Sequence, residues 1–205
     1  MMRKALILYG TRYGAAASTS EMITSTLQQE GIEVRIVNAK REKVQDIAEY
    51  DLVIVGSGIQ LNRWTHEPEN FLHKFQKKLA NKKVALFVCC GSAAGKLAPM
   101  RPSAPPPDNW LVNRMPWARF ANEDPTVRAK RDYLEGKAAK YNLNPIAFGL
   151  FGGIYNYGKM PWYFKKAAER DKARVQAAYK ETESGVYDTR DLNAIRTWAR
   201  QLADM

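Results

Sequence analysis

Cysteine is nearly absent. The only two among 205 residues, Cys89 and Cys90, are neighbours, so they cannot staple distant parts of the chain. A disulfide framework is excluded, and a reducing compartment is expected. Histidine is as scarce. His66 and His73 stand seven apart beside an expected helix. Without a second pair of ligands they do not make a metal centre. No apolar run reaches the ~18 residues that a membrane-spanning helix needs. The first apolar strand begins within five residues of Met1, which leaves no room for a signal peptide and adds to the expectation of a cytoplasmic protein. There are no internal repeats, and no acid, base and nucleophile set stands out.

Acidic charge is also in short supply. There are 21 Asp+Glu against 32 Lys+Arg, a net charge of +11. Most of the excess sits between Lys96 and Lys180, where 16 basic residues face 7 acidic ones. One reading is a basic face for an anionic partner: membrane lipid, nucleic acid, or an acidic substrate or protein. The other is a solvated surface that keeps the chain soluble.

What is present is an alternation of strand and helix, in a length that suits one domain over 1–205 with insertions. The run Ala5 to Tyr9 predicts a first strand. The loop Gly10-Thr11-Arg12-Tyr13-Gly14-Ala15-Ala16-Ala17-Ser18-Thr19-Ser20 follows, and then a helix with Met22, Ile23, Thr26 and Leu27 that stops at Gly31. Such a loop sets backbone N–H groups and a helix N-terminus at the carboxyl end of a strand. That is a place for a phosphate, or simply a turn with a Ser/Thr cap. Glu33 to Val37 predicts a second strand, Val44 to Ala48 a short helix, and Asp51 to Gly56 a strand buried on both faces. After the loop Ser57 to Thr65, Pro68 opens a helix with Phe71, Leu72, Phe75 and Leu79 on one face. Lys83 to Cys89 is a fourth strand, followed by the small-residue loop Cys90 to Gly95. Strands alternating with helices imply a parallel sheet with right-handed crossovers, which takes its ligands beyond the carboxyl ends of the strands. Three small-residue loops, after strands one, three and four, point to that edge.

The middle of the chain breaks the pattern. Seven of the ten prolines lie between Pro99 and Pro125, interleaved with Trp110, Trp117, Phe120, Arg101, Arg114 and Arg119. Proline removes donors and resists helix, so an irregular inserted segment is expected near 96–125. A helix from Thr126 to about Tyr141 and a fifth strand from Pro145 to Phe151 follow. A second insertion, near 155–185, holds the aromatic, basic stretch Tyr155 to Lys166 and a helix to about Lys180. Its charged run Lys165 to Arg174 leaves too thin an apolar face for deep membrane insertion. The last helix is expected to be capped near Asp188 or Thr189 and to bury Leu192, Ile195, Trp198 and Leu202. Gly91 to Lys96 is one residue short of a nucleotide phosphate loop, and Leu97 stands where Ser or Thr is required, so nucleoside triphosphate binding is set aside. The Arg/Trp-rich insertion could stack on nucleic acid, but the sheet and its loops explain more of the chain.

The order of elements resembles the flavodoxin fold, a three-layer α/β sandwich with a five-stranded parallel sheet in the order 2-1-3-4-5. The loop Thr11-Arg12-Tyr13-Gly14 is similar to the Thr-Arg-x-Gly phosphate loop of flavodoxin-like proteins related to the menaquinone-dependent protoporphyrinogen oxidase. The resemblance implies FMN, with phosphate on Thr11, Arg12, Tyr13, Gly14, Ala15 and Ala16. It puts the flavin ring between Ser57, Gly58, Ile59 and Gln60, with Trp64 as a ring contact, and Cys90, Gly91, Ser92 and Ala93. Two departures stand out. Ala16 occupies a position where the family often has Thr, so Ser18 or Thr19 would have to supply the hydroxyl. The loop after strand four has no aromatic, so one ring face is open to a substrate or covered by Trp110, Trp117 or Tyr155.

The resemblance implies an FMN-dependent oxidoreductase that takes a porphyrinogen-like anionic substrate and a quinone acceptor, with peripheral contact at the inner face of a membrane. A basic flavodoxin that exchanges electrons with a redox partner is the alternative. A flavin-free module that binds an anionic partner through the basic insertion is the third.

Overall fold

The computed structural model describes residues 3–59, 62–93, 123–160 and 172–205, apart from the side chain of Ser92. Gln60, Trp110, Trp117, Phe120 and the helix expected to begin near Trp162 lie outside or begin outside these residues. In chain order come β1 (Lys4–Gly10), α1 (Ala15–Gln29), β2 (Glu33–Asn38), β3 (Leu52–Gly58), α2 (His66–Leu79) and β4 (Lys83–Cys89). A 3-10 turn (Gly91–Ala93) follows. Beyond it lie α3 (Pro125–Lys130), a π-helical turn (Arg131–Glu135), α4 (Gly136–Lys140) and β5 (Ala147–Phe151). The chain closes with β6 (Ile154–Asn156), a helical segment at 172–178, β7 (Glu181–Glu183), β8 (Val186–Asp188) and α5 (Leu192–Asp204).

Five strands form the expected parallel sheet, in the order β2-β1-β3-β4-β5. Alternation along each strand divides its side chains between two cores. Leu6, Leu8, Val53, Val55, Leu86 and Val88 face one way, against Phe71, Leu72 and Phe75 of α2, Leu134 of the π turn and Ala138 of α4. Ala5, Ile7, Ile54, Ala85 and Phe87 face the other way, against Ala16, Ile23 and Leu27 of α1 and Ile195, Trp198 and Leu202 of α5. Phe87 is fully buried, and Phe151 and Trp198 approach it with ring centroids 6.1 and 6.2 Å away. The Phe87–Trp198 pair meets edge to face, an arrangement that adds about 1 kcal/mol beyond the area it buries.

Three details correct the sequence expectations. First, residues 44–48 are not helical. Val44 and Ile47 are buried, which is the apolar signal the sequence carried. Backbone carbonyls there are met by lysines instead of by helix N–H groups. Lys74 donates to the Val44 carbonyl at 3.2 Å and Lys82 to the Ala48 carbonyl at 2.8 Å. Second, α5 is capped by Asp191, whose Oδ1 accepts from the N–H groups of Asn193 and Ala194 at 2.9 and 3.0 Å. Thr189 is not free to cap, because its hydroxyl donates to the Gly153 carbonyl and accepts from the Gly153 N–H. Leu192, as the first residue of the helix, stays exposed, while Ile195, Trp198 and Leu202 are buried. Third, the region after β5 holds a second, antiparallel sheet in the order β6-β8-β7. Its strands are three residues long, too short for an alternation pattern to reveal.

Among the described residues, no helix is long and apolar enough to cross a membrane.

Candidate functional site

Parallel pairing brings the loops together. Gly10 at the end of β1 lies opposite Ser57, Gly58 at the end of β3 lies opposite Cys89, and Cys89 lies opposite Phe151. The ladder continues beyond the strands. Ile59 N–H donates to the Cys89 carbonyl at 3.0 Å, and Cys90 N–H donates to the Phe151 carbonyl at 2.9 Å. These bonds fix the loop after β3 to the loop after β4, and that loop to the end of β5.

A cleft of about 160 Å³ opens along this edge. Thr11, Arg12, Tyr13 and Ala15 line one end of it, and Gly58, Ile59, Cys90 and Gly91 line the middle. All eight were expected at the site. Gly153, Ile154, Tyr155 and Met160, from the crossing into the second sheet, complete the wall, together with Cys89. Only Tyr155 of these four was expected beside the ring. The others are small or apolar residues without a chemical signature, brought to the wall by the run of the chain from β5 through β6.

At the β1 end the turn is held by its own backbone. Gly14 is the N-cap of α1 at φ 95°, a left-handed conformation that favours glycine. Its N–H donates to Thr11 Oγ1 at 3.0 Å. With that oxygen accepting, the single Thr11 proton is left to point elsewhere, and Thr11 lines the cleft. No side chain caps α1, and no acidic residue stands in its first turn. The first N–H groups of a helix have no partner within it, and they carry the positive end of its dipole. This end of the cleft is a donor set for an anion.

Other expected residues have different duties. Ala16 is fully buried in the core against the sheet, so its backbone but not its side chain belongs to the helix start. Ser18 and Thr19 do not replace a hydroxyl in the cleft. Both accept from the Arg190 guanidinium, at 2.6 and 3.1 Å. Ser57 is fully buried and spends its hydroxyl on Thr65, whose N–H donates to it at 2.9 Å. Trp64 does not line the cleft. It is buried in the core beside α2, and its indole N–H donates to the Tyr133 carbonyl at 2.8 Å. That carbonyl lies in the π turn. Ala93 closes the 3-10 turn through its N–H to the Cys90 carbonyl at 3.2 Å and does not line the cleft.

Gly91 meets Tyr155. A Cβ built on Gly91 would stand closer than 3.0 Å to the Tyr155 hydroxyl. Tyr155 of β6 therefore stands beside the loop after β4, which has no aromatic of its own. Tyr155 stacks on Tyr157 with centroids 6.2 Å apart, and Tyr157 meets the edge of Tyr187 at 5.9 Å.

Among the described residues, the titratable groups that line the cleft are Arg12, Tyr13, Cys89, Cys90 and Tyr155. Burial pushes the Cys89 thiol up to about 12, and it donates to Thr19 Oγ1 at 3.4 Å, so it stays neutral. Among the described residues, no group of three or more His, Cys, Asp or Glu could hold a metal ion.

The model of the flavodoxin domain family matches residues 6–170. Oxidised flavodoxin 2 from Bacillus cereus is 16% identical with a TM-score of 0.54, and 98% of each chain is covered. A flavodoxin from the domain Archaea is 14% identical with a TM-score of 0.50, covering 98% of this chain and 96% of that one. The rubredoxin oxygen:oxidoreductase of Desulfovibrio gigas is 12% identical with a TM-score of 0.51. It matches 98% of this chain, which spans about a third (35%) of that protein. These likenesses show a shared fold; the flavodoxin domain family, whose model matches the chain, typically binds FMN. With its sheet order, its cleft beyond β1, β3 and β4, and a family match over most of its length, the chain belongs to the flavodoxin domain family.

Proposed function

We propose that this chain is a single-domain FMN-binding oxidoreductase whose chemistry resides in the cofactor. The observation that carries the reading is the donor set at the start of α1, continuous with a cleft between the loops after β3 and β4. The Thr11 hydroxyl, the Arg12 guanidinium and the N–H groups following Gly14 would hold the FMN phosphate. The ring would lie between Gly58 and Ile59 on one side and Cys90 and Gly91 on the other, beside Tyr155. Gln60 and Ser92 extend those two loops in sequence. When bound, the flavin supplies hydride or single-electron transfer, and the protein supplies orientation, electrostatics and shelter from water.

The net charge of +11 favours an anionic substrate or an acidic protein partner, since opposite charge speeds encounter. A porphyrinogen bearing carboxylates, oxidised with a quinone as acceptor at a membrane surface, is the substrate pair we put forward first. The second reading is an electron carrier between proteins. It is favoured by the flavodoxin likenesses, which extend over nearly the whole of both chains.

The test starts with the visible spectrum of the purified protein before and after adding FMN and desalting. Oxidised-flavin bands that survive desalting support the cofactor assignment. Loss of all flavin would remove the oxidoreductase reading and leave a flavin-free module that binds an anionic partner. With flavin retained, turnover of a porphyrinogen with a quinone favours the enzyme. Electron exchange with a redox protein alone favours the carrier.

A further inference from the structure

The guanidinium of Arg190 lies where stability alone does not want it. Its side chain is 6% exposed. It sits at the first turn of α1, the positive end of the helix dipole, where a cation is unfavourable. Burying an ion pair is often no more stabilising than an apolar pair of the same shape. Burial works against its charge, and Asp188 holds that charge in place. Arg190 Nε and Nη2 donate to the two Asp188 oxygens at 2.9 and 2.6 Å, a fork that lysine cannot form.

The remaining nitrogen is spent entirely on α1. Nη1 donates to the Ala15 carbonyl at 3.1 Å, to Ser18 Oγ at 2.6 Å and to Thr19 Oγ1 at 3.1 Å. Ser18 passes the constraint on, because its hydroxyl donates to the Gly14 carbonyl at 3.1 Å. Gly14 N–H in turn donates to Thr11 Oγ1. A connected chain of hydrogen bonds therefore runs from Asp188 of β8 through Arg190, Ser18 and Gly14 to Thr11 at the cleft. Connected networks of this kind rigidify what they join.

We propose that Arg190 is a positioning residue for the anion end of the cleft, and that it sets the preference for a phosphate-bearing flavin over the same flavin without phosphate. It fixes the turn from Thr11 to Gly14 through Ser18 and adds positive potential behind a helix start that has no carboxylate of its own. A bound dianion completes the arrangement. The second sheet, through Asp188, thereby acts on the loop after β1. This inference rests on the FMN reading above.

The experiment is a fluorescence titration of the flavin-free full-length protein with FMN and, separately, with riboflavin. It compares the wild type with Arg190→Met, Arg190→Lys and Ser18→Ala, each checked for its thermal midpoint. Arg190→Met is expected to weaken FMN by roughly fivefold to thirtyfold, the upper range for a residue that acts on a site without touching the ligand, and riboflavin by less than about threefold. Ser18→Ala, which keeps the charge and cuts the relay, should weaken FMN by about fivefold with riboflavin again nearly unchanged. Arg190→Lys should recover part of the FMN preference, since it keeps the charge without the fork. If Arg190→Met does not fold, the Lys and Ala variants decide. Equal weakening of both flavins, or of neither, overturns the inference and leaves Arg190 a structural ion pair. A wild type that binds both flavins equally also overturns it while the flavin reading stands. A wild type that binds neither removes the flavin reading itself.

Discussion

Replacing Gly91 with alanine should cost both stability and flavin binding, and the reason is one atom of Tyr155. The Gly91 φ is not in the left-handed region, so alanine meets no backbone strain there. Its Cβ, however, would lie closer than 3.0 Å to the Tyr155 hydroxyl and 3.1 Å from Cζ. Tyr155 cannot swing away without leaving its stack on Tyr157. Nor can the loop retreat easily, because Cys90 N–H is bonded to the Phe151 carbonyl. Overpacking of this kind costs about 1–3 kcal/mol. Removing the hydroxyl removes the worst contact and leaves only Cζ, a few tenths of an ångström too close. Gly91→Ala combined with Tyr155→Phe should therefore be more stable than the sum of the two single changes predicts, by about 1 kcal/mol. Denaturant unfolding of wild type, both single variants and the double variant measures that coupling. A loss below about 0.5 kcal/mol for Gly91→Ala, or a coupling near zero, would refute the placement of Tyr155 over the β4 loop.

Further outcomes follow from the same geometry. Gly14→Ala has open space for its Cβ but must adopt φ 95°, so it should lower stability by about 1–2 kcal/mol, whereas Gly14→Asn should lose less, as thermal unfolding can check. Glu69 is opposed by burial, yet hydrogen bonds from Lys137 and Lys140 and from the Tyr141 hydroxyl hold its carboxyl down to about 2, below the ordinary 4.5. Because the folded value is the lower one, its contribution is complete above about pH 4.5 and is lost as the pH falls towards 2. Allowing for partial solvent screening, that contribution is about 1–2 kcal/mol, so Glu69→Gln should flatten the acid limb of the stability curve by this amount. Cys89, buried and neutral, should resist alkylation at pH 8 in the folded protein and react on unfolding, as mass spectrometry of the labelled chain would show.

The sheet was legible because its signals are long. Runs such as Leu52 to Val55 and Val84 to Val88 are buried on both faces, and apolar content alone marks them. The loops were legible as places, since parallel strands align their carboxyl ends whatever the loop residues are. The duties of individual side chains were less so. The family resemblance makes Trp64, in the loop after β3, a ring contact, but its indole N–H finds a carbonyl that a π turn about seventy residues later presents. Val44 and Ile47 look helical because they are buried at short spacing, and nothing local shows that lysines of α2 and the following turn supply the missing donors.

The second sheet explains the rest of the discrepancy. Its strands carry three residues each, and their stability comes from partners distant in sequence: Tyr187 under Tyr157, Thr189 locked on Gly153, and Arg190 on α1. A reading from the sequence sees Tyr155 to Lys166 as an aromatic, basic insertion and the residues around Asp188 as a helix cap. In the fold Tyr155 lines the cleft, and Asp188 of β8 holds the Arg190 guanidinium. Tyr155 comes from β6 to cover the glycine of the β4 loop, and Arg190 comes from just beyond β8 to brace the loop after β1. Ala16 fits the same account. Its side chain is buried in the core, and the hydroxyls beside it are held by Arg190, so under the role proposed for Arg190 discrimination at the anion end would rest on backbone N–H groups that the second sheet keeps in place. On that view the second sheet is part of the ligand site, and changes at Arg190 or Ser18 should alter flavin selectivity, although neither residue lines the cleft.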